Sequence, residues 1–155
     1  MPKKNRTAIF VRLRQLSPQD RLLLLEAIFS LAVARLAIAT LPFHRVGLLA
    51  ARPVRRPTPP DGMRLAKINS VRWAIRAAAA RVPWRALCFQ EGLAAQFMLR
   101  RRGIPSVLYY GAAQDEQSGL LTHVWVRDRD TEVIGGEIAS RFAVLATFPP
   151  QPGSL

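Results

Sequence analysis

The hydrophobic pattern of the chain changes its period near Gly103, and this change limits the fold more than any other feature. Before Gly103, apolar residues recur at intervals of three and four, as in residues 63–80, where Ile68, Val71 and Ile75 share one stripe. After Gly103 the apolar residues alternate with a period of two. Because helices repeat every 3.6 residues and strands every two, the pattern predicts helices followed by a small antiparallel sheet, an α+β fold.

Three helices are predicted, and the first carries its own start signal. Ser17 supplies a capping hydroxyl, Pro18 suits the first helical position, and Asp20 complements the positive helix end. The apolar run that follows predicts a helix that ends before Pro42. The other two helices are expected over residues 63–80 and about 85–102, the last ended by Gly103 and burying Leu87, Leu93, Ala94, Phe97 and Met98.

A basic, proline-rich connector, residues 51–62, separates the first helix from the second and cannot form a regular helix or a central strand. It divides the chain into an N-terminal helical segment (1–50) and a C-terminal core (63–148), followed by a loose tail (149–155). Strands are expected over residues 106–111, 122–127 and 132–136, with a turn at 128–131.

The apolar stretch from Leu22 to Phe43 is long enough to cross a bilayer. It carries Glu26 and Arg35, which are costly at bilayer depth, so a buried or interfacial helix is favoured over a membrane span. The basic N-terminus, residues 1–6, lacks the short apolar run and small-residue cleavage site of a signal peptide.

The net charge of +13 predicts attraction to acidic partners, whether peptide, protein, nucleic acid or anionic lipid. Arginine supplies 20 of the 23 basic residues, so part of the excess reflects a bias towards arginine codons. A single cysteine excludes a disulfide framework and a Cys-rich zinc site, and two histidines argue against a structural metal cage.

The single cysteine, Cys88, falls in the first turn of the third predicted helix. Unpaired N–H groups and the positive helix end favour the thiolate there, Arg85 adds a positive charge, and the same N–H groups can hold an oxyanion. His123 lies on the second predicted strand and shares a face with Trp125. A cysteine at a helix N-terminus facing a histidine on a strand is the geometry of papain-like and transglutaminase-like enzymes. A lone cysteine is more often a buried hydrophobe, so these residues alone leave packing and catalysis both open.

Four ordered motifs resemble those of the lasso peptide biosynthesis B2 proteins, the transglutaminase-like cysteine proteases that remove the leader from a lasso peptide precursor. The motifs are Trp84-x3-Cys88-x5-Ala94, Leu99-Arg100-Arg101-Arg102-Gly103-Ile104-Pro105, Tyr110-Gly111-Ala112 and His123-Val124-Trp125-Val126. Residues 16–43 are also similar to the entry helices of that family, so the resemblance covers about residues 16–147.

The resemblance implies a transglutaminase-like or papain-like core, with one helix on a small antiparallel sheet and a helical N-terminal part. It implies that Cys88 is the nucleophile and that His123 is the general base that later protonates the leaving amine. No metal or other cofactor is implied. Nucleic acid is not an expected partner, and membrane contact is not favoured.

The partners implied by the resemblance are the precursor leader, a leader-recognition protein and a cyclase. The recognition module is fused to the protease in some members, and this chain begins too close to the protease-like region to contain it. We therefore expect a separate, B1-type leader-recognition protein, an ATP-dependent macrolactam cyclase that receives the core, and a cytoplasmic location. The predicted partner surfaces are the apolar first helix and the connector arginines Arg52, Arg55 and Arg56.

The third catalytic residue of the family is commonly an Asp on the strand after the histidine hairpin, where this chain has residues 134–136, Ile-Gly-Gly. If the turn spans residues 129–131, antiparallel pairing puts Glu137 opposite His123, whereas a loop one residue shorter puts Gly136 there. Glu137 is therefore the predicted orienter, and a Cys–His pair without a carboxylate stays open. The turn aspartates are expected to be solvated or turn-forming: Asp128 and Asp130.

Two other functions stay open. A basic helical module for nucleic acid or an anionic membrane would make Cys88 a core residue, and it predicts salt-dependent binding to DNA or lipid. The few aromatic residues are not interleaved with the arginines as a stacking surface requires. Acyl transfer to an amine, instead of hydrolysis, would use the same Cys88 and His123. The arginines at 100–102 are expected to form a solvated face at a helix C-terminus.

Overall fold

The helices precede the sheet in the computed structural model, which describes residues 16–117 and 119–151. In chain order the elements are α1 (Pro18–Thr40), α2 (Phe43–Ala50), α3 (Asp61–Ala79), α4 (Cys88–Arg101), β1 (Val107–Asp115), β2 (Gly119–Asp128), β3 (Thr131–Ile134), a 3₁₀ helix (Gly136–Arg141) and β4 (Ala143–Phe148). The α+β prediction is confirmed. The predictions for the basic N-terminus and for residues 152–155 of the tail lie outside the described residues.

Helix α1 begins where its capping residues predict. The backbone N–H of Asp20 donates to Ser17 Oγ at 3.1 Å, and the helix ends at Thr40, before Pro42. Its inner face packs on α3 and α4 and buries small and branched side chains such as Ala27 and Leu31. Small residues at this face let the three helices approach closely, which is why the N-terminal helix shares one hydrophobic core with the rest of the described chain.

The outer face of α1 remains apolar and exposed. Four large side chains on this face are between 61% and 69% exposed: Leu22, Leu25, Phe29 and Leu36. By length and composition alone α1 could cross a membrane, although a third of its most apolar window is buried inside the protein. The helix is therefore packed on one side and unpartnered on the other, within the part of the chain that the structure describes.

Glu26 and Arg35, the two charged residues within the apolar stretch of α1, both contact other parts of the protein. Arg102 donates to Glu26 at 2.6 Å, and this hydrogen bond holds the pKa of the Glu26 carboxyl below its ordinary value. The Arg35 guanidinium lies over the Trp84 ring, 5.4 Å from its centroid. These contacts tie α1 to the end of α4 and to the segment that precedes α4. Arg102 is thus an ion-pair residue and not part of a solvated face.

The four strands form one antiparallel sheet in the order β3-β2-β1-β4. The hairpin of β1 and β2 is longer than predicted, and its register pairs Gly111 with His123. Helix α4 packs on this sheet at Gly92, where a Cβ atom would lie 2.8 Å from Val124 Cγ1. Because that distance leaves no room for a side chain, glycine sets how close α4 lies to β2.

Helix α4 crosses the sheet so that its two ends lie over different parts of β1. In its second half, the Gln96 side-chain amide donates to the carbonyls of Ser106 and Phe148, at 3.2 and 2.9 Å, where β1 begins and β4 ends. In its first turn, the Phe89 ring lies 6.4 Å from that of Tyr110, further along β1. The first turn of α4 therefore lies at the level of Tyr110, which pairs with Val124 of β2.

Several features differ from the sequence prediction. The short helix α2, the 3₁₀ helix and β4 were not predicted, and Phe43 of α2 packs against the Phe89 and Tyr110 rings, 5.9 and 5.7 Å between centroids. Leu87, predicted to be buried in the α4 stripe, is 52% exposed because it lies before the first helical turn. Gly103 does end the helical region, with a φ of 76°.

Asp128 is buried and paired, in contrast to its predicted solvated role. Its carboxylate receives two hydrogen bonds from the Arg64 guanidinium, and the two side chains are 3% and 6% exposed. This bidentate pair joins the start of α3 to the end of β2 across the core. Asp130 is exposed and lies in the turn, as predicted.

We expect Asp128→Asn to lower the free energy of unfolding by about 3–5 kcal/mol, because it leaves the Arg64 cation buried without its partner charge. Asp61→Asn is the matched control: Asp61 is 82% exposed and pairs with Arg129 nearby, so its loss changes stability by less than about 0.5 kcal/mol. Urea unfolding followed by circular dichroism measures both. Equal losses for the two variants would contradict the structural role of the buried pair.

Candidate active site

Cys88 is the first residue of α4, and the N-terminus of this helix has free donors. Leu87, the N-cap residue, offers no side-chain hydrogen bond, and the first helical bond runs from Glu91 N–H to the Leu87 carbonyl at 3.0 Å. The N–H groups of Cys88, Phe89 and Gln90 have no hydrogen-bond partner within residues 16–117 and 119–151. Three backbone donors are therefore unpaired in the helical turn that begins with the half-buried Cys88.

Such a helix end favours negative charge. The partial positive charge of the helix N-terminus stabilises a thiolate, and the same N–H groups can donate to an oxyanion. Helix α1 gives the contrast within this molecule, since Ser17 already satisfies its Asp20 N–H. The N-termini of α2 and α3 likewise have no side-chain cap, so α4 is distinguished by the cysteine at its start and not by the missing cap.

His123 lies in β2 and shares a face with Trp125, as predicted. The two rings are stacked with 6.0 Å between centroids, and the Phe142 ring lies 5.1 Å from the histidine on another side. Val124, the residue between them, points to the opposite face, where it meets Gly92 of α4. The His123 side chain therefore leaves β2 on the face of the sheet away from α4.

A backbone carbonyl fixes the tautomer of His123. Its Nε2 lies 2.7 Å from the carbonyl oxygen of Gly135. Because a carbonyl oxygen can only accept, Nε2 carries the hydrogen and the neutral ring keeps its lone pair on Nδ1. Nδ1 has no hydrogen-bond partner in the described chain, so it is available as a base.

Gly135 directs its carbonyl to His123 because of its backbone conformation. Its φ is 75°, a left-handed value, and a Cβ there would lie 2.6 Å from the Val124 carbonyl oxygen. Only glycine satisfies both conditions without strain. The same residue ends β3 after Ile134 and turns the chain into the 3₁₀ helix.

Glu137 does not orient the histidine. It lies in the 3₁₀ helix, where its carboxylate forms an ion pair with Arg76, and it makes no hydrogen bond to His123. The register that would place Glu137 opposite His123 is present where Val126 pairs with Ile134. However, β3 ends at Ile134, so the pairing does not reach Glu137. The Gly135 carbonyl takes the position for which a carboxylate was predicted.

The first turn of α4 and the His123 side chain lie at a similar level of the β1–β2 hairpin, on opposite faces of the sheet. The first turn of α4 lies at the level of Val124, the neighbour of His123, and β3 pairs with β2 only over residues 126–128. The edge of β2 beside His123 therefore has no strand partner. No hydrogen bond joins Cys88 Sγ to the His123 ring within the described residues.

Glu91 and Trp84 are two further polar residues near the thiol. Glu91 follows Cys88 by three residues, on the same side of α4; burial raises the pKa of its carboxyl, and Arg76 partly offsets that rise. The Trp84 Nε1 is buried without a partner in the described chain. The spacing of Glu91 from Cys88 was visible in the sequence, whereas nothing in the sequence identified the Gly135 carbonyl. Among the described residues no group of three or more metal-ligating side chains occurs.

A family model described as the transglutaminase-like superfamily matches residues 28–147 of the chain. The match includes most of α1, all of α4 and the sheet except its last residue, Phe148, and therefore both Cys88 and His123. No curated protein and no solved structure gave a match.

We expect His123 to be the Nε2–H tautomer in solution, because the Gly135 carbonyl accepts from Nε2. Long-range ¹H–¹⁵N NMR on histidine-labelled protein measures this directly, and His44→Gln assigns the two signals. Glu137→Gln should leave the His123 spectrum unchanged, since that carboxylate is bound to Arg76. A proton on Nδ1, or a tautomer change in Glu137→Gln, would contradict the assignment.

Proposed function

The chain belongs to the transglutaminase-like superfamily, and we propose that it is a cysteine endopeptidase that removes the leader from a lasso peptide precursor. The observation that carries the proposal is the open N-terminus of α4, with Cys88 as its first residue, at the level of β2 where Gly135 holds His123. The ordered motifs shared with the lasso B2 proteins support leader removal as the reaction.

The first half of the reaction forms an acyl-enzyme. His123 Nδ1 takes the thiol proton of Cys88, and Sγ attacks the carbonyl carbon of the leader's last residue. The N–H groups of the first turn of α4 donate to the oxyanion. The imidazolium then gives its proton to the leaving nitrogen as the C–N bond breaks, which releases the core peptide with a free α-amine.

The second half regenerates the enzyme. His123 accepts a proton from water, the water oxygen attacks the thioester carbon, and the C–S bond breaks to give the leader carboxylate. The proton held by the imidazolium returns to the Cys88 thiolate. Throughout the cycle Nε2 keeps its hydrogen bond to the neutral Gly135 carbonyl, so the ring stays oriented in both protonation states.

Acyl transfer to an amine is the second candidate, because the same residues would form the same thioester. The two reactions differ only in the nucleophile that attacks it. In H₂¹⁸O, hydrolysis adds one ¹⁸O atom to the new leader carboxylate, whereas acyl transfer adds an amine and no ¹⁸O. The isotopic content of the leader product therefore separates them in a single digest.

We extend the proposal to the partners that the resemblance implies. A separate leader-recognition protein presents the precursor, and an ATP-dependent macrolactam cyclase takes the released core, all in the cytoplasm. Support for these partners comes from the family resemblance, in which the recognition module is a separate protein in some members.

We expect Cys88→Ala and His123→Ala to reduce precursor cleavage by at least about a thousandfold, because each removes a member of the nucleophile–base pair. The assay mixes a lasso precursor with this protein and the leader-recognition protein of the same organism. Mass spectrometry then quantifies leader and core.

His44→Ala is the matched control, since His44 is exposed on α2 and should leave the cleavage rate unchanged. Full cleavage by Cys88→Ala would contradict the proposal and favour a binding module in which the cysteine is structural. Cleavage that needs both Cys88 and His123 would support it.

A further inference from the structure

Five arginines surround a cleft at the end of the molecule away from Cys88. The cleft has a volume of about 690 Å³ and lies between the connector and the end of α4. Its lining consists of Arg52, Pro53, Arg55, Arg56, Phe97, Arg100 and Arg101. No acidic side chain belongs to this lining.

The positive charge of this arginine cleft is almost entirely uncompensated. Arg101 reaches Glu26 at 3.5 Å, but Glu26 is already paired at 2.6 Å with Arg102. The other four arginines form no ion pair within the described residues. Like charges held this close repel one another, and a bound anion would offset that repulsion.

Arg100 is held in place within the cleft. Its guanidinium donates to the Ala50 carbonyl at 2.9 Å and lies over the Phe97 ring, 6.0 Å from the centroid. Burial and the nearby Arg52 lower the pKa of Arg100, so its environment does not favour the cation. A guanidinium fixed in this way offers its remaining donors to a carboxylate at low entropic cost.

We propose that the arginine cleft binds an acidic stretch of the peptide substrate, with at least two Asp or Glu side chains. This inference rests on the proposed function, since it assigns the recognised feature to the substrate of Cys88. An open cleft of about 690 Å³ accommodates a few side chains. A nucleic-acid groove needs aromatic rings free to stack with bases, and Phe97, the single aromatic of the lining, is covered by Arg100.

The position of the cleft fixes where the acidic stretch lies in the substrate. Arg100 lies about three turns of α4 from Cys88, which at 1.5 Å per residue is about 18 Å. An extended peptide advances about 3.3 Å per residue, so about six residues or more separate the acidic stretch from the scissile bond. A substrate with its acidic residues next to the scissile bond would not reach the cleft.

The first test measures binding without catalysis. Cys88→Ala protein is titrated against a fluorescein-labelled peptide that carries four glutamates, and against the same peptide with four glutamines, by anisotropy in 150 mM salt. Arg52→Glu/Arg55→Glu should weaken binding of the glutamate peptide by at least about tenfold. Arg45→Glu/Arg81→Glu, which removes the same charge from exposed sites outside the cleft, should weaken it by less than about twofold.

Equal weakening by the two double variants would overturn the proposal, because binding would then follow net charge and not the cleft. Tighter binding of a labelled single-stranded DNA 12-mer, with the same dependence on Arg52 and Arg55, would overturn it in favour of a nucleic-acid site. Glutamate-peptide binding confined to an intact cleft supports it. Because this readout involves no turnover, the binding result can be interpreted even if the protein proves not to be a peptidase.

The second test measures the distance from the cleft to the thiol. Each peptide carries four glutamates and one cysteine, separated by two or by eight residues. The peptide cysteine is activated as its mixed disulfide with thionitrobenzoate. Exchange with Cys88, the single cysteine of the chain, releases coloured thionitrobenzoate. The peptide with the eight-residue spacing should react at least about fivefold faster than the matching peptide with four glutamines. This acceleration should require both Arg52 and Arg55. Equal acceleration at both spacings would overturn the predicted separation.

Discussion

The close approach of α4 to β2 at Gly92 is the contact on which the site depends. A Cβ atom at this position would lie 2.8 Å from Val124 Cγ1, so any other residue would push the helix away from the sheet. The Gln96 amide fixes the other end of α4 on the carbonyls of Ser106 and Phe148. These two contacts determine the direction of the helix, and its open first turn lies at the level of Val124, the residue after His123.

The histidine is held by a carbonyl dipole and not by a carboxylate. A carboxylate partner stabilises the imidazolium by its charge, whereas the Gly135 carbonyl fixes the tautomer and contributes only a dipole. Glu137, two residues after Gly135, is bound to Arg76. In the proposed reaction the charge on the oxyanion is then offset mainly by the end of α4, where three N–H groups have no partner in the described chain.

Local signals in the sequence predicted much of the fold. Ser17 and Gly103 mark helix ends through hydrogen bonding and backbone conformation, which depend on few neighbours, and both predictions are confirmed. Residues 143–148 have no clear period because they form an edge strand with three exposed residues, so β4 was missed. The sequence predicts that Asp128 is solvated or turn-forming, because its partner, Arg64, lies 64 residues away and no local pattern identifies it.

Part of the site was also predictable from local signals in the sequence. Placing Cys88 at a helix start needs only the helix pattern, and placing His123 beside Trp125 needs only strand alternation. The orienting group could not be found, because it is a main-chain oxygen exposed by the left-handed φ of Gly135. Register counting assumes that β3 continues, and this glycine ends it two residues before Glu137.

The most direct test of a Cys–His pair is the rate at which iodoacetamide alkylates Cys88 at pH 7, followed by mass spectrometry. If the two residues form a pair, His123→Ala slows this reaction by at least about tenfold. His44 is exposed and far from the thiol in sequence, so His44→Ala leaves the rate unchanged. Circular dichroism confirms that each variant is folded. Equal rates for wild type and folded His123→Ala would contradict the Cys88–His123 pair and identify Cys88 as a structural thiol.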